Sequence, residues 1–185
     1  MGRYIGIPIL IIAALLNATV MVELRIGNGA PDLVLLLVIS WALLTEDVRE
    51  AMFWAVIGGV MQDMFSVAPL GASSLGYVIV AFAADFIFGR VDRGNFLIPP
   101  LVALAGTVVQ SVSLLAILRL VGYAVPFGIA ITMVTIPSMI YNAILIIPVF
   151  RLVGRLHQWL TPSRVRLDSI VPPNPRDARR SRNNP

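Results

Sequence analysis

The sequence predicts an all-α fold, a polytopic transmembrane helix bundle of about six spans. Hydrophobic residues make up 58% of the 185 residues and charged residues only 13%, whereas soluble domains are about half apolar and a quarter charged. The mean hydropathy is +0.87. Apolar runs that approach the roughly 20 residues needed to cross a bilayer recur along the chain. No polar segment between the first and last of these runs is long enough to form a soluble domain.

The first three spans are successive apolar runs. Residues 5–22 are long enough to cross, and no cleavage pattern followed by a soluble sequence marks them as a removable signal, so they are a retained span. Asn17 begins a glycosylation triplet, which inside a span is a chance match. Leu33–Leu44 and residues 51–65 are short, so they extend through flanking polar residues or lie partly inside the bundle. The alternative is a re-entrant hairpin over residues 33–65.

The next three spans are longer. Residues 70–88 follow a Pro-Leu-Gly turn, and residues 96–118 form an almost uninterrupted apolar run. Residues 129–149 contain Pro137 and Pro148, which should bend the helix. Residues 1–150 therefore constitute one transmembrane bundle.

Two polar segments follow this bundle. Residues 151–160, RLVGRLHQWL, place apolar residues at helical spacing opposite arginines, which predicts an amphipathic helix on the inner leaflet. Residues 161–185 are rich in Pro, Arg and Asn, which predicts a disordered basic tail. Aromatic residues are not interleaved with these arginines, so anionic lipid is the predicted contact and nucleic acid is not.

The arginines predict the orientation, because positively charged loops stay in the cytoplasm. With six spans, 12 arginines fall on one side: Arg3, Arg49, Arg90, Arg93 and the eight from Arg151 to Arg182. The other side has two, Arg25 and Arg119. We therefore expect a multi-pass protein of the bacterial inner membrane, with both termini cytoplasmic.

A stripe on the third span contains the first candidate site residues. Ala55, Gly59 and Asp63 are four residues apart and share one helical face, with Gln62 beside them. Small residues allow a neighbouring helix to approach closely. One interpretation is that Gln62 and Asp63 bind something, because ionisable residues at membrane depth often mark sites. The favoured one is that Asp63 caps the fourth helix near Gly71.

A similar stripe on the fifth span contains Ala103, Thr107 and Ser111, with Gln110 beside it. Both stripes could hold the transmembrane helix of a partner, and Gln110 and Asn142 could hydrogen-bond to that helix or to a ligand. The sequence contains no metal-ligand spacing, phosphate loop or nucleophile motif. It predicts no enzyme, metal or cofactor.

The sequences APDLVLLLVISWALL from Ala30 and AVIGGVMQDMFSVAPLGASSLGYVIVAFAADF from Ala55 resemble the MreD family, rod-shape-determining membrane proteins of bacteria. That family has a Pro-Asp-Leu start to its second hydrophobic segment, a Gly-rich third helix ending in a Gln-Asp-type pair, a Pro-Leu-Gly turn and a Tyr in the fourth helix. The matching residues are Pro31, Asp32, Leu33, Gly58, Gly59, Gln62, Asp63, Pro69, Leu70, Gly71 and Tyr77.

The resemblance implies a non-enzymatic scaffold of the cell-elongation machinery. Its partner would be MreC, a single-span membrane protein, and through it the scaffold would influence the elongation transpeptidase, RodA, MreB and peptidoglycan synthesis. A homo-oligomer is also left open. The family is similar to the six-helix substrate-binding subunit of energy-coupling-factor vitamin transporters, which supplies the alternative function. Under that alternative, Asp32, Gln62 and Asp63 are candidate ligands of a vitamin-sized molecule.

Overall fold

The structure, a computed structural model, describes residues 6–23, 29–45, 47–66, 68–88, 97–124 and 126–160. The predicted tail at 161–185, and Arg3, Arg25, Arg90 and Arg93, lie outside these residues. The helices are α1 (Gly6–Glu23), α2 (Leu33–Leu44), α3 (Val48–Met64), α4 (Ala72–Phe88), α5 (Ile98–Leu120), α6 (Phe127–Ala130) and α7 (Ile136–Leu160), with a π-helical segment at Ile131–Thr135 between the last two.

The predicted fold class is confirmed, because the described residues form an all-α membrane bundle of about six spans. Ile98–Leu120 and Phe127–Trp159 are each long and apolar enough to cross a bilayer. α1, α2 and α4 contain shorter apolar stretches. Short helices suit positions inside a bundle, where the surrounding protein rather than lipid sets the required length.

The bundle has two ends, which contacts between helices identify. Gly6 at the start of α1 lies against the indole ring of Trp54 in α3. Val153 and Leu156, near the end of α7, line a small groove with these two residues. The start of α1 and the end of α7 therefore share one end of the bundle, here called the Trp54 end. The opposite end carries the α3–α4 turn and the α5–α6 turn, and is called the Tyr123 end.

α2 is the central helix. It contacts α1, α3, α4, α5 and α7, and Leu35, Leu36 and Ile39 are fully enclosed. A helix that is surrounded by other helices needs no polar face, which explains why α2 is apolar on all sides.

α3 begins three residues before the predicted start, because Asp47 caps it. The Asp47 side chain accepts a hydrogen bond from the Arg49 N–H at 2.9 Å, which starts the helix at Val48. The α2–α3 turn therefore lies about two helical turns beyond Trp54, the level at which α1 begins. Residues 33–65 thus form two antiparallel helices of the bundle.

The last helix is longer than predicted. α6, the π-helical segment and α7 form one continuous run, and the π-helical segment ends two residues before Pro137. The segment at 151–160 continues α7 without a break. Val153 is buried against the bundle, and the His157 ring meets the Trp41 ring edge-on with 5.8 Å between centroids. These contacts hold the last turns of α7 against the Trp54 end.

Candidate functional site

The segment before α2 is extended backbone that lies between helices. Gly29 approaches α7 so closely that a Cβ atom there would lie 2.5 Å from the Cβ of Pro137, so only glycine fits at this position. Non-helical backbone at membrane depth is stable only where the surrounding protein satisfies its polar groups. Pro31 removes one of these groups, since proline has no N–H.

Side chains of α1 and α7 accept hydrogen bonds from the remaining amides of this segment. The bonds run from the Ala30 N–H to Ser138 Oγ (3.2 Å), from the Asp32 N–H to Asn142 Oδ1 (2.9 Å), and from the Leu33 N–H to Asn17 Oδ1 (2.9 Å). The extended segment is thus fixed by groups that are far away in sequence, and α2 can begin inside the bundle.

The Asp32 carboxylate is the centre of a second set of bonds. Its Oδ2 accepts from the Tyr77 hydroxyl at 2.7 Å. Its Oδ1 accepts from Asn17 Nδ2 at 2.9 Å and caps α2 through the Leu35 N–H at 3.1 Å. Both oxygens of this buried carboxyl group therefore have hydrogen-bond donors. Asn17 Nδ2 also donates to Gln62 Oε1 at 3.1 Å, which brings α3 into the set.

Asn142 extends these bonds to the fifth helix. Its side chain is fully buried, and its Nδ2 donates to Thr107 Oγ1 at 2.9 Å. The Thr107 hydroxyl in turn donates to the Ala103 carbonyl at 2.7 Å. The resulting polar cluster, called the Asp32 network, joins six helices. It consists of Asn17, Asp32, Gln62, Tyr77, Thr107 and Asn142.

Asp63 is not part of this network, because its carboxylate caps the start of α4. The Gly71 N–H donates to Oδ2 at 2.8 Å, and the Ser73 N–H reaches both oxygens at 3.1 and 3.2 Å. Gly71 has a φ of +92°, a left-handed conformation that favours glycine. The Pro69 carbonyl accepts from the Ala72 N–H at 3.1 Å and completes the turn. These bonds confirm the capping interpretation of Asp63.

A cavity of about 450 Å³ lies between the Asp32 network and the Tyr123 end. Tyr77 and Asn142 are buried in its wall, whereas Ser66 and Tyr123, near the turns, are exposed. Its walls come from α2, α3, α4, α5 and α7. The lining residues are Ala30, Asp32, Leu35, Gln62, Ser66, Ala68, Ser73, Tyr77, Thr107, Gln110, Ser111, Leu114, Leu118, Tyr123, Ser138 and Asn142.

The Gln110 side chain fits into this wall only because residue 76, which it packs against, is glycine. Its Oε1 packs against Gly76 in α4, where an added Cβ would collide with it. The same Oε1 is buried without a hydrogen-bond partner. A buried amide oxygen without a partner is costly. Among the described residues of the cavity wall, Gln110 is the one with a buried side-chain polar atom that lacks a partner.

The small-residue stripes face the interior of the bundle, which corrects the expectation that they receive a partner helix. Ala55 and Ala103 are completely buried. A Cβ added at Gly59 would lie 2.2 Å from the Cα of Ser74, so Gly59 allows α3 and α4 to touch. Thr107 is buried inside the Asp32 network. Ser111, the last residue of the α5 stripe, lines the cavity. The small side chains are therefore used for packing within the chain.

The structure brings Asp32, Gln62, Tyr77, Thr107, Gln110 and Ser111 around one cavity and places Asp63, Pro69 and Gly71 together in the adjacent turn. Asn17 and Ser138 are site residues that were not among the predicted ones. The sequence could have indicated Asn17 as a site residue, because an amide within an apolar span is costly unless it finds a partner. It could not have indicated Ser138, because serine in a membrane helix commonly bonds to its own backbone.

One comparison with known proteins, a family model, gives a match. The family model described as rod shape-determining protein MreD matches residues 2–160, which include all the described helices. No curated protein and no solved structure matches the chain significantly. Members of the matched family are membrane proteins that act in rod-shape determination. Because the match covers most of the sequence, the chain belongs to the MreD family.

Proposed function

We propose that this chain is a non-enzymatic membrane scaffold of the cell-elongation machinery, which binds an MreC-type single-span protein and thereby regulates peptidoglycan synthesis. The observation that carries the proposal is the family match over residues 2–160. The described interior supports it, because its polar side chains bond mostly to one another and to the backbone. Through the single-span partner the scaffold would act on the elongation transpeptidase, RodA and MreB.

The last helix offers an apolar surface that suits a partner's transmembrane helix. Its outward residues recur at spacings of four, three, four and four, the pattern of a helix-packing seam. Each is roughly half exposed or more. The seam consists of Ile129, Met133, Ile136, Ile140 and Ile144. Since the small-residue stripes are occupied internally, we assign partner binding to this seam, where packing between apolar side chains would drive association.

Disulfide crosslinking tests this assignment directly, because the chain has no cysteine of its own. Single cysteines replace Ile136, Ile140 or Ile144, and a cysteine is moved along the transmembrane helix of the MreC-type partner. We expect crosslinks from all three positions. The reactive partner positions should recur every three to four residues, as two packed helices require.

Ile79→Cys in α4 is the matched control, since Ile79 is also an exposed isoleucine on an apolar helix. It should give no crosslink under the same oxidation. Crosslinks from Ile79→Cys together with none from the three seam positions would reject the seam as the partner surface.

We also propose that the Trp54 end faces the cytoplasm and the Tyr123 end faces the periplasm of an inner-membrane protein. Arg49, Arg151 and Arg155 lie at the Trp54 end and Arg119 at the other, in keeping with the arginine rule. A reporter fused after Pro185 and one inserted near Gly122 should therefore give signals on opposite sides of the membrane. Signals on the same side would refute this orientation.

The alternative function, a substrate-binding subunit of a vitamin-type transporter, finds support in one observation, the cavity. Asp32 and Gln62 line it, but Asp63 does not, since its carboxylate caps α4. The family match points to rod-shape determination rather than transport, so we do not assign a transport role.

A further inference from the structure

We propose that the cavity at the Tyr123 end is a binding site for a small polar molecule that is neutral or singly cationic, rich in hydroxyl or amide groups, and enters from the Tyr123 side. This goes beyond a scaffold role, because it makes the scaffold responsive to a solute. The cavity volume of about 450 Å³ falls within the range of roughly 300–1,000 Å³ that is usual for small-molecule sites.

Polar groups converge on this space from five helices. Hydroxyl groups come from residues that include Thr107, Ser111 and Ser138, and amides come from Gln62, Gln110 and Asn142. Apolar residues such as Leu35 and Leu114 separate them. A few placed hydrogen-bonding groups in a partly apolar wall orient a ligand and distinguish it from others. Several of these groups already bond within the chain, but the buried Gln110 Oε1 has no partner, and a bare lipid chain would leave it without one.

Charge narrows the class of ligand. Asp32 is the only ionisable acid, and no arginine, lysine or histidine is present, among the described residues that line the cavity. An anionic ligand would find no cation in that wall to pair with its charge. Burying an unpaired charge in a poorly hydrated cavity is costly. A neutral ligand avoids this cost, and a singly cationic one can pair with Asp32.

The side from which a ligand enters the cavity follows from which of the lining residues are exposed. Tyr77 and Asn142 are fully buried, whereas Tyr123 is 53% exposed. The deep part of the cavity is closed by the hydrogen bonds of Asp32 to Tyr77 and of Asn142 to Thr107. A molecule therefore enters past Ser66 and Tyr123, between the α3–α4 and α5–α6 turns.

Cysteine modification of the full-length chain in neutral detergent tests the proposal. Ser111→Cys places a single thiol in the cavity wall, and Leu120→Cys places a reference thiol on an exposed residue of the same helix near the same end. Three methanethiosulfonate reagents serve as probes: a neutral hydroxyethyl, a cationic trimethylammonium-ethyl and an anionic sulfonatoethyl compound. Rate constants of modification are measured for each.

We expect the neutral and cationic reagents to modify Ser111→Cys readily. The ratio of cationic to anionic rates should be about tenfold higher at Ser111→Cys than at Leu120→Cys, because only the cavity thiol lies near the Asp32 field. Adding Asp32→Asn to Ser111→Cys should reduce this preference severalfold.

Failure of the neutral reagent to reach Ser111→Cys would show that the cavity does not admit small polar molecules. Equal cationic-to-anionic ratios at the two positions would overturn the charge assignment. Both results come from the chain with Asp32 intact, so the test holds even if Asp32→Asn folds poorly.

Discussion

Asp32→Ala should lower the thermal stability of the detergent-solubilised chain more than any other single removal of a carboxylate. Three donors lose an acceptor: the Tyr77 hydroxyl, the Asn17 amide and the Leu35 N–H. A buried donor without a partner costs about 1–3 kcal/mol. Because Asn17 Nδ2 keeps its bond to Gln62, only the other two donors are left unpaired, and the expected total is about 2–6 kcal/mol. This is a large share of the roughly 5–15 kcal/mol by which domains are stable.

Asp32→Asn should be much milder. Its side-chain oxygen still accepts from Leu35, and its amide can donate to the Tyr77 hydroxyl, which accepts as well as donates. The matched control is Asp47→Ala, which removes a helix-capping carboxylate from an exposed position. That change should cost about 1 kcal/mol. If Asp32→Ala melts no lower than Asp47→Ala, the Asp32 network does not hold the bundle together.

Substitutions of Asp63 should form a graded series of melting temperatures. Asparagine keeps one oxygen to accept from the Gly71 or Ser73 N–H, so Asp63→Asn should be mild. Asp63→Ala leaves these amides without the carboxylate and should cost about 1–2 kcal/mol. Asp63→Leu should be worst, since it also places a branched side chain where α3 meets the start of α4.

Ser66→Ala is the control for this series, because it removes a hydroxyl of the same turn without touching the Asp63 carboxylate. That hydroxyl donates weakly to the Asp63 carbonyl at 3.4 Å and accepts from the Ala68 N–H at 3.1 Å in an exposed position. Its melting temperature should stay close to that of the unchanged chain. A series in which Asn, Ala and Leu melt alike would contradict the capping role.

The sequence was sufficient to predict the spans, because each is an apolar run bounded by polar residues or turns. The predicted second span coincides with Leu33–Leu44, and the first, fourth and fifth differ from α1, α4 and α5 by one or two residues. α3 begins earlier because Asp47 caps it. The last helix extends further because Val153 and Leu156 pack on the bundle, and that contact depends on tertiary structure.

The site was less predictable from the sequence, because most of its contacts also depend on tertiary structure. The turn containing Asp63 and Gly71 is local, so its capping bonds follow from a short stretch of sequence. The Asp32 network joins residues up to 110 positions apart, as in the bond from the Asp32 N–H to Asn142. Only the packing of helices determines such pairs. The small residues of α3 and α5 signalled close approach correctly, but not that the approaching helix belongs to the same chain.

The central claim is that the buried polar groups hold the bundle together, while the partner binds outside, on the seam of the last helix. Capture of the MreC-type partner by Asp63→Asn, measured with its melting temperature, tests this most directly. We predict nearly normal melting and capture in proportion to the folded fraction. A normally folded Asp63→Asn chain that no longer captures the partner would contradict the claim and make Gln62 and Asp63 the functional centre.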